Sequence, residues 1–289
     1  MHALSQRVSL VALSGLVILS QYGSAQAPPV TDPNAAPSTS SKDFPAEPAE
    51  LDAFLTPLLT RQLEELHIPG ISFVLVKNGR ILFMKGYGYA DRDRKLPVDP
   101  ERTVFRVASV SKVVTATAAM QLVERGMLRV DDPVNAQLKA FQIKETFRPP
   151  ITLGNLLTHT AGFDESAIGR RARSAADLEP LGAYLAHSIP PQVFPAGTVL
   201  NYSNHGMALA GYLVEEASGV PFEKYMDENV FKPLGMTRSS FALPEALAQD
   251  LALGYEYDDG VYTPRHYEYI KTIPSSMLVT TASDMARFM

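Results

Sequence analysis

The feature that most constrains this chain is the segment 110–125. After Lys112 it runs uncharged from Val113 to Val123, with Val113, Val114, Ala116, Ala118, Ala119, Met120, Leu122 and Val123 spread around every side of a helix. Gly126 follows as a residue able to end the helix in a left-handed conformation. Valine and threonine are mediocre helix formers, so burial rather than intrinsic propensity has to hold this helix. A fold that accepts it needs neighbouring layers to bury it. It must also explain a lysine at the head of an apolar rod, because lysine is rarely buried without a reason.

The flanking pattern supplies those layers. Residues 50–66 place Leu51, Phe54, Leu55, Leu58, Leu59, Leu63 and Leu66 at spacings of three and four, which predicts an amphipathic helix ended by Pro69-Gly70. Residues 71–77 and 80–89 are β-branched and aromatic runs around Asn78-Gly79. That dipeptide suits the positive φ angles of a tight hairpin turn. Residues 91–100 read as a polar loop, and 152–157 as a helix start. Further helices are expected over 174–189, 204–217 (closed by Gly219) and 221–229 (opened by Pro221). Residues 261–270 fit strand and helix alike. Ser283 is expected to cap a helix running to Met289, and the absence of a stop signal there suggests a fragment of a longer protein. One hairpin followed by many helices predicts an α/β or α+β fold with an inserted helical region.

The N-terminus reads as an address. Arg7 is the only Lys or Arg of residues 1–27, an apolar stretch covers 8–19, and Ser24-Ala25-Gln26-Ala27 offers small residues for a signal peptidase. Cleavage is expected after Ala27, giving a secreted or periplasmic protein. Residues 28–48 carry six of the 22 prolines and read as a flexible linker, so the folded domain is expected over 49–289. The net charge of -5 sets nucleic-acid binding aside. The absence of cysteine excludes a disulfide scaffold, a thiol nucleophile and Cys-ligated zinc. No apolar run reaches the roughly 18 residues of a membrane span.

The chemistry is concentrated at Phe105-Arg106-Val107-Ala108-Ser109-Val110-Ser111-Lys112. Ser109 stands where a loop turns into the apolar helix, and Lys112, three residues on, shares its face. A serine hydroxyl needs an adjacent base to act as a nucleophile. A lysine pressed against apolar surface loses its preference for the charged form and can serve as that base. The helix start adds a positive field for a developing oxyanion. Further on, Tyr202-Ser203-Asn204 precedes another helix. A phenol near a lysine can shuttle protons, and an asparagine can both donate to and accept from an amide or ester.

Ser109-x-x-Lys112 followed by Tyr202-x-Asn204 resembles the serine β-lactamase and penicillin-binding-protein superfamily, and most of all the class C β-lactamase-related serine hydrolases. Gly86-Tyr87-Gly88-Tyr89-Ala90-Asp91, Leu156-Leu157-Thr158-His159-Thr160-Ala161-Gly162, Phe194-Pro195-Ala196-Gly197 and Phe231-Lys232-Pro233-Leu234-Gly235-Met236 share the resemblance. It implies an antiparallel sheet flanked by helices, with a helical subdomain and the site between them. It also implies acylation at Ser109, base or relay duty for Lys112, proton transfer through Tyr202 and substrate contact by Asn204. The family's third motif, Lys or His, then a variable residue, then Gly, is not found after Tyr202-x-Asn204. Lys271-Thr272-Ile273 lacks the glycine, and His159-Thr160-Ala161-Gly162 has one residue too many and comes too early. The expectation is a chain that ends before that strand. One lost oxyanion donor costs on the order of 10²–10³ in rate.

Other signals are weaker. None of the six histidines has zinc-protease spacing, and no G-x-S-x-G elbow occurs. His205 reads as a helix-start surface residue and His159 as a structural hydrogen-bonding group. Arg170-Arg171-x-Arg173 reads as a solvated loop, and Asp131-Asp132-Pro133 as a turn. Gly86-x-Gly88 lacks the third glycine of a nucleotide site. The reading is an exported serine hydrolase that needs no cofactor and no metal, acting on a small-molecule or peptide substrate: a D-alanyl peptide, an ester or a β-lactam. Its rival is a non-catalytic domain that binds penicillin or peptidoglycan within a larger membrane-attached protein. Oligomeric state is not legible.

Overall fold

The structure is a computed structural model that describes residues 47–289. The expected signal peptide over 1–27 and residues 28–46 of the expected linker lie outside the described residues. Helix α1 spans Pro48–Glu65 and buries Leu51, Leu59 and Leu63. Strands β1 (Gly70–Lys77) and β2 (Arg80–Asp91) form the antiparallel hairpin, with Lys77 opposite Arg80. Both turn residues take positive φ, 52° at Asn78 and 69° at Gly79, as that dipeptide allows. A short β3 (Leu96–Pro97) joins β2 inside the expected polar loop, and β4 (Phe105–Arg106) leads to the site.

The apolar segment forms a 3₁₀ turn, Ala108–Val110, and then helix α2, Ser111–Glu124. Val114, Ala118, Ala119 and Leu122 are fully buried, but Val113 and Met120 are exposed, so the helix is covered on one side rather than all round. Gly126 takes φ 71° and ends it as expected. Helices α3 (Val134–Gln137) and α4 (Leu153–Leu157) follow; Thr152 caps α4 by accepting from the Asn155 N–H. Strand β5 is Arg171–Ala172.

The helix expected over 174–189 is broken. A 3₁₀ turn at Ala175–Asp177 gives way to an extended stretch, and α5 covers only Leu181–Ser188. Pro180, which has no N–H and disfavours helix at the residue before it, is the cause.

Helix α6, Asn204–Ser218, is the centre of the molecule: its residues from Asn204 to Val214 are all buried. Ser203 caps it by accepting from the Gly206 N–H, and Gly219 ends it at φ 70°. Helix α7 (Phe222–Met226) runs on through a π-helical turn, Asp227–Phe231, into α8 (Lys232–Leu234), longer than expected. After α9 (Glu245–Ala248), strands β6 (Gly254–Asp258) and β7 (Val261–Arg265) form a second hairpin. β8 (Tyr269–Ile270) pairs with β5, resolving the ambiguous 261–270 as two strands. Then come α10 (Ile273–Ser276), β9 (Val279–Thr280), which pairs with β4, and α11 (Ala282–Phe288). The cap of α11 is Thr281 rather than Ser283: Thr281 has the extended backbone a cap needs and accepts from the Asp284 N–H at 3.1 Å.

One large apolar core joins α2, α4, α5, α6 and α7, with Phe163, Phe222 and Phe241 among its fully buried side chains. A small separate cluster of Leu59, Leu63 and Tyr87 ties α1 to the first hairpin. Mixed helices and antiparallel strands make this an α/β architecture. Among the described residues no helix is long and apolar enough to cross a membrane.

Candidate active site

The backbone approaches α2 through Ala108, whose φ of 45° is a left-handed conformation that an L-residue adopts only under constraint. The constraint is visible on both sides. Val107 N–H donates to Leu278 O at 3.0 Å, and the Ser111 hydroxyl accepts from the Leu278 N–H at 3.0 Å while donating to Ala108 O. The start of α2 is thus fastened to the segment after α10, and Ser109 is turned toward Lys112. Its Oγ lies 3.0 Å from Lys112 Nζ.

Lys112 is buried although it carries an amine. Its Nζ also donates to Asn204 Oδ1 at 2.9 Å and to Ser275 O at 2.9 Å. Three hydrogen-bond partners match the three N–H bonds of an ammonium group. Two of them, a carbonyl and an amide oxygen, can only accept. When Lys112 loses a proton its two remaining N–H bonds stay on those oxygens, and the lone pair is left facing Ser109 Oγ. Burial, and after it the charge of Arg170, lowers the Lys112 pKa to about 8; Glu165 opposes them.

Tyr202 comes to the same serine from the other side, its Oη donating to Ser109 Oγ at 2.7 Å. The approach segment 193–203 is laced to the loop after α4. Phe194 N–H donates to Gly162 O, Gly197 N–H to Thr160 O at 2.8 Å, and Asn201 N–H to His159 O at 2.8 Å. Gly162 has φ 78°, and a Cβ there would lie 2.0 Å from Phe194 O, so this crossing admits only glycine. His159 Nδ1 accepts from the Ser203 N–H at 3.2 Å, and its ring lies 4.4 Å from the Tyr202 ring, centroid to centroid. Burial, then the nearby Lys112 charge, pushes the His159 pKa down. Lys112 Nζ stands 4.7 Å from the centroid of the Tyr202 ring. Tyr202 is 44% exposed, so the serine is reached from solvent past this ring.

Two pairs distant in sequence, Ser109 with Lys112 and Tyr202 with Asn204, therefore share one chain of hydrogen bonds. Around them stand residues that sequence reasoning missed. Glu165 accepts from Asn204 Nδ2 at 2.9 Å, the Asn204 N–H at 3.0 Å, Ser203 Oγ at 3.1 Å and Arg170 Nη1 at 2.9 Å. Burial alone would raise its pKa; hydrogen bonds from His205, Asn204 and Ser203 overcome that and bring it down to about 2. Arg170, expected in a solvated loop, is the ion-pair partner of Glu165. His205, expected at the surface, is buried between Tyr184 Oη at 3.0 Å and Glu165 at 3.4 Å, because α6 lies in the core from its first turn. The Ser275 carbonyl has no side-chain signature. Glu165 had one faint signal, an acid shortly after the apolar Ala161-Gly162-Phe163.

The β-lactamase family model matches residues 55–289. The chain belongs to that family. It is 32% identical to the putative penicillin-binding protein PbpX of Bacillus subtilis (strain 168) over 231 residues, 80% of this chain and 56% of the relative. Among solved structures it is similar to the D-alanine carboxypeptidase AmpC of Burkholderia cenocepacia. There the identity is 30% and the TM-score 0.65, over 83% of this chain and 63% of the other. It is also similar to the octameric penicillin-binding protein homologue of Pyrococcus abyssi. That match has 28% identity and a TM-score of 0.68, over 83% of this chain and 55% of the other. The chain spans about half the length of the curated relatives it matches, 56% of one and 46% of the next. It carries the fold of a β-lactamase-family serine hydrolase.

Proposed function

We propose that the protein is an exported serine hydrolase that forms an acyl-enzyme at Ser109, with D-alanyl peptides or small esters as the substrate class and β-lactams as slower acylating agents. The observation that carries this reading is the double hold on Ser109 Oγ, by Lys112 Nζ at 3.0 Å and by Tyr202 Oη at 2.7 Å. Neutral Lys112 takes the Ser109 proton as Oγ bonds to the substrate carbonyl carbon. The positive end of α2 favours the oxyanion that forms. Tyr202, hydrogen-bonded to Oγ and beside Lys112, passes a proton to the leaving amine or alkoxide. Water then attacks the ester by the reverse relay and frees Ser109. Asn204, with its Oδ1 on Lys112, uses its remaining amide N–H toward the substrate. Likeness to a D-alanine carboxypeptidase supports the peptide class. The Arg7, apolar 8–19 and Ser24-Ala25-Gln26-Ala27 pattern supports export with cleavage after Ala27.

The test is covalent labelling of the full chain with a fluorophosphonate and with a fluorescent penicillin. Label should map to Ser109 and vanish in Ser109→Ala. Label that persists in the alanine variant defeats the assignment. A chain that takes label at Ser109 but releases product from neither a D-alanyl peptide nor a small ester favours the non-catalytic binder.

A further inference from the structure

The polar residues behind Lys112 are more numerous than a simple serine–lysine pair requires. Glu165 is the hub. Its Oε1 accepts from Asn204 Nδ2 and Arg170 Nη1, both at 2.9 Å. Its Oε2 accepts from the Asn204 N–H at 3.0 Å, Ser203 Oγ at 3.1 Å and His205 Nδ1 at 3.4 Å. Ionised, it can only accept. An asparagine amide could otherwise lie either way round. Here the carboxylate takes the NH₂ end, so the oxygen end must face Lys112, where Nζ donates to it at 2.9 Å.

That orientation matters for the lone pair. Were Asn204 turned over, its NH₂ would face Nζ and compete with Ser109 for the amine's lone pair. We propose that Glu165 is a positioning residue of the hydrolase: it locks the Asn204 amide so that Lys112, once neutral, aims its lone pair at Ser109, and Arg170 neutralises the carboxylate so that the lock does not hold Lys112 charged. This rests on the proposed acylation of Ser109. Glu165 itself is 21% exposed at its side chain and touches Asn204 rather than Ser109.

The electrostatics agree with the geometry. Lys112 faces Ser109 on its own turn, Asn204 from α6, the Ser275 carbonyl from α10 and Tyr202 from the approach segment. Glu165 and Arg170 act on it through space from the loop after α4, where His159 also stands, its own pKa lowered by burial and then by the Lys112 charge. Arg170 and Glu165 pull its pKa in opposite directions. Removing only the carboxylate's charge leaves the Arg170 effect unopposed, so the pKa of Lys112 must fall.

The experiment uses the full chain and two readouts. The first is a carbon-13 NMR titration of the Lys112 side chain, with no ligand present. The second is the rate at which a fluorophosphonate labels Ser109. In Glu165→Gln, which keeps the shape but can offer either end of an amide, the Lys112 midpoint should move down. Labelling at the plateau pH should slow by about 10- to 100-fold, the scale on which a misplaced group costs rate. Glu165→Asp keeps an acceptor-only charge and should restore part of the rate. The double variant Glu165→Gln with Asn204→Ala should be no slower than Asn204→Ala alone, because the lock acts through that amide. If Glu165→Gln fails to fold, Arg170→Gln carries the test, with the Lys112 midpoint moving up. An unmoved midpoint with labelling within twofold of the parent overturns the proposal, as do penalties that simply add in the double variant. A parent that takes no label at Ser109 defeats the proposed function instead, and an unmoved Lys112 midpoint in Glu165→Gln would then still overturn this inference.

Discussion

Helix α6 and the first hairpin are held in different ways. In α6 every residue from Asn204 to Val214 is buried, and its neighbours α2, α4, α5 and α7 share one continuous core. In the hairpin, β1 has no fully buried residue, and only Leu59, Leu63 and Tyr87 form a buried cluster beneath it. The hydrogen-bond partners of Ser109 and Lys112 come from α2, α6, α10 and the approach segment, and none comes from the hairpin. A buried amine needs surroundings that cannot relax toward water, and close packing supplies them. The hairpin is scaffold; the helical core sets the chemistry.

That contrast can be broken by mutation. The largest expected effect is in the core: Leu209→Ala, at a fully buried site, should cost about 3 kcal/mol in denaturant unfolding. A smaller but more telling change is Gly211→Ala on α6. Its Cβ would lie 2.4 Å from the Pro274 ring, one residue before the Ser275 carbonyl that holds Lys112. It should cost about 1–3 kcal/mol and also slow Ser109 labelling, by driving α10 away from the amine. Gly88→Ala in the hairpin, at φ 67° with a Cβ 2.3 Å from Pro69 O, should cost about 1–3 kcal/mol yet leave the labelling rate of the folded fraction unchanged. Ile81→Ala, 47% exposed, should stay within about 0.5 kcal/mol. Equal labelling losses for Gly211→Ala and Gly88→Ala would erase the distinction.

Much of this was legible because the signals were local. Asn78-Gly79 specifies its own turn, the leucine spacing specifies α1, and Gly219 ends α6 where glycine belongs. Ser109 and Lys112 sit one turn apart, so a helix assignment alone brings them together. The failures were of two kinds. Element boundaries turn on single residues: Pro180 delays α5 until Leu181, and the cap of α11 falls on Thr281, two residues before Ser283. The other failures are tertiary. Whether α2 is covered on one side or all round depends on its neighbours, and Val113 and Met120 stay exposed. Glu165, Arg170 and His205 converge only when the loop after α4 folds back on the start of α6, and no spacing in the sequence marks that.

The central claim is that packing around Lys112 turns an ordinary amine into a base for Ser109. Its most direct test is the pH dependence of fluorophosphonate labelling at Ser109. A lysine with its pKa lowered to about 8 must be neutral to act, so the rate should climb as pH rises through about 8 and then level off. The climb should be missing in Lys112→Met. A rate that stays flat as pH passes through about 8, or a methionine variant that labels as fast as the parent, would contradict the account.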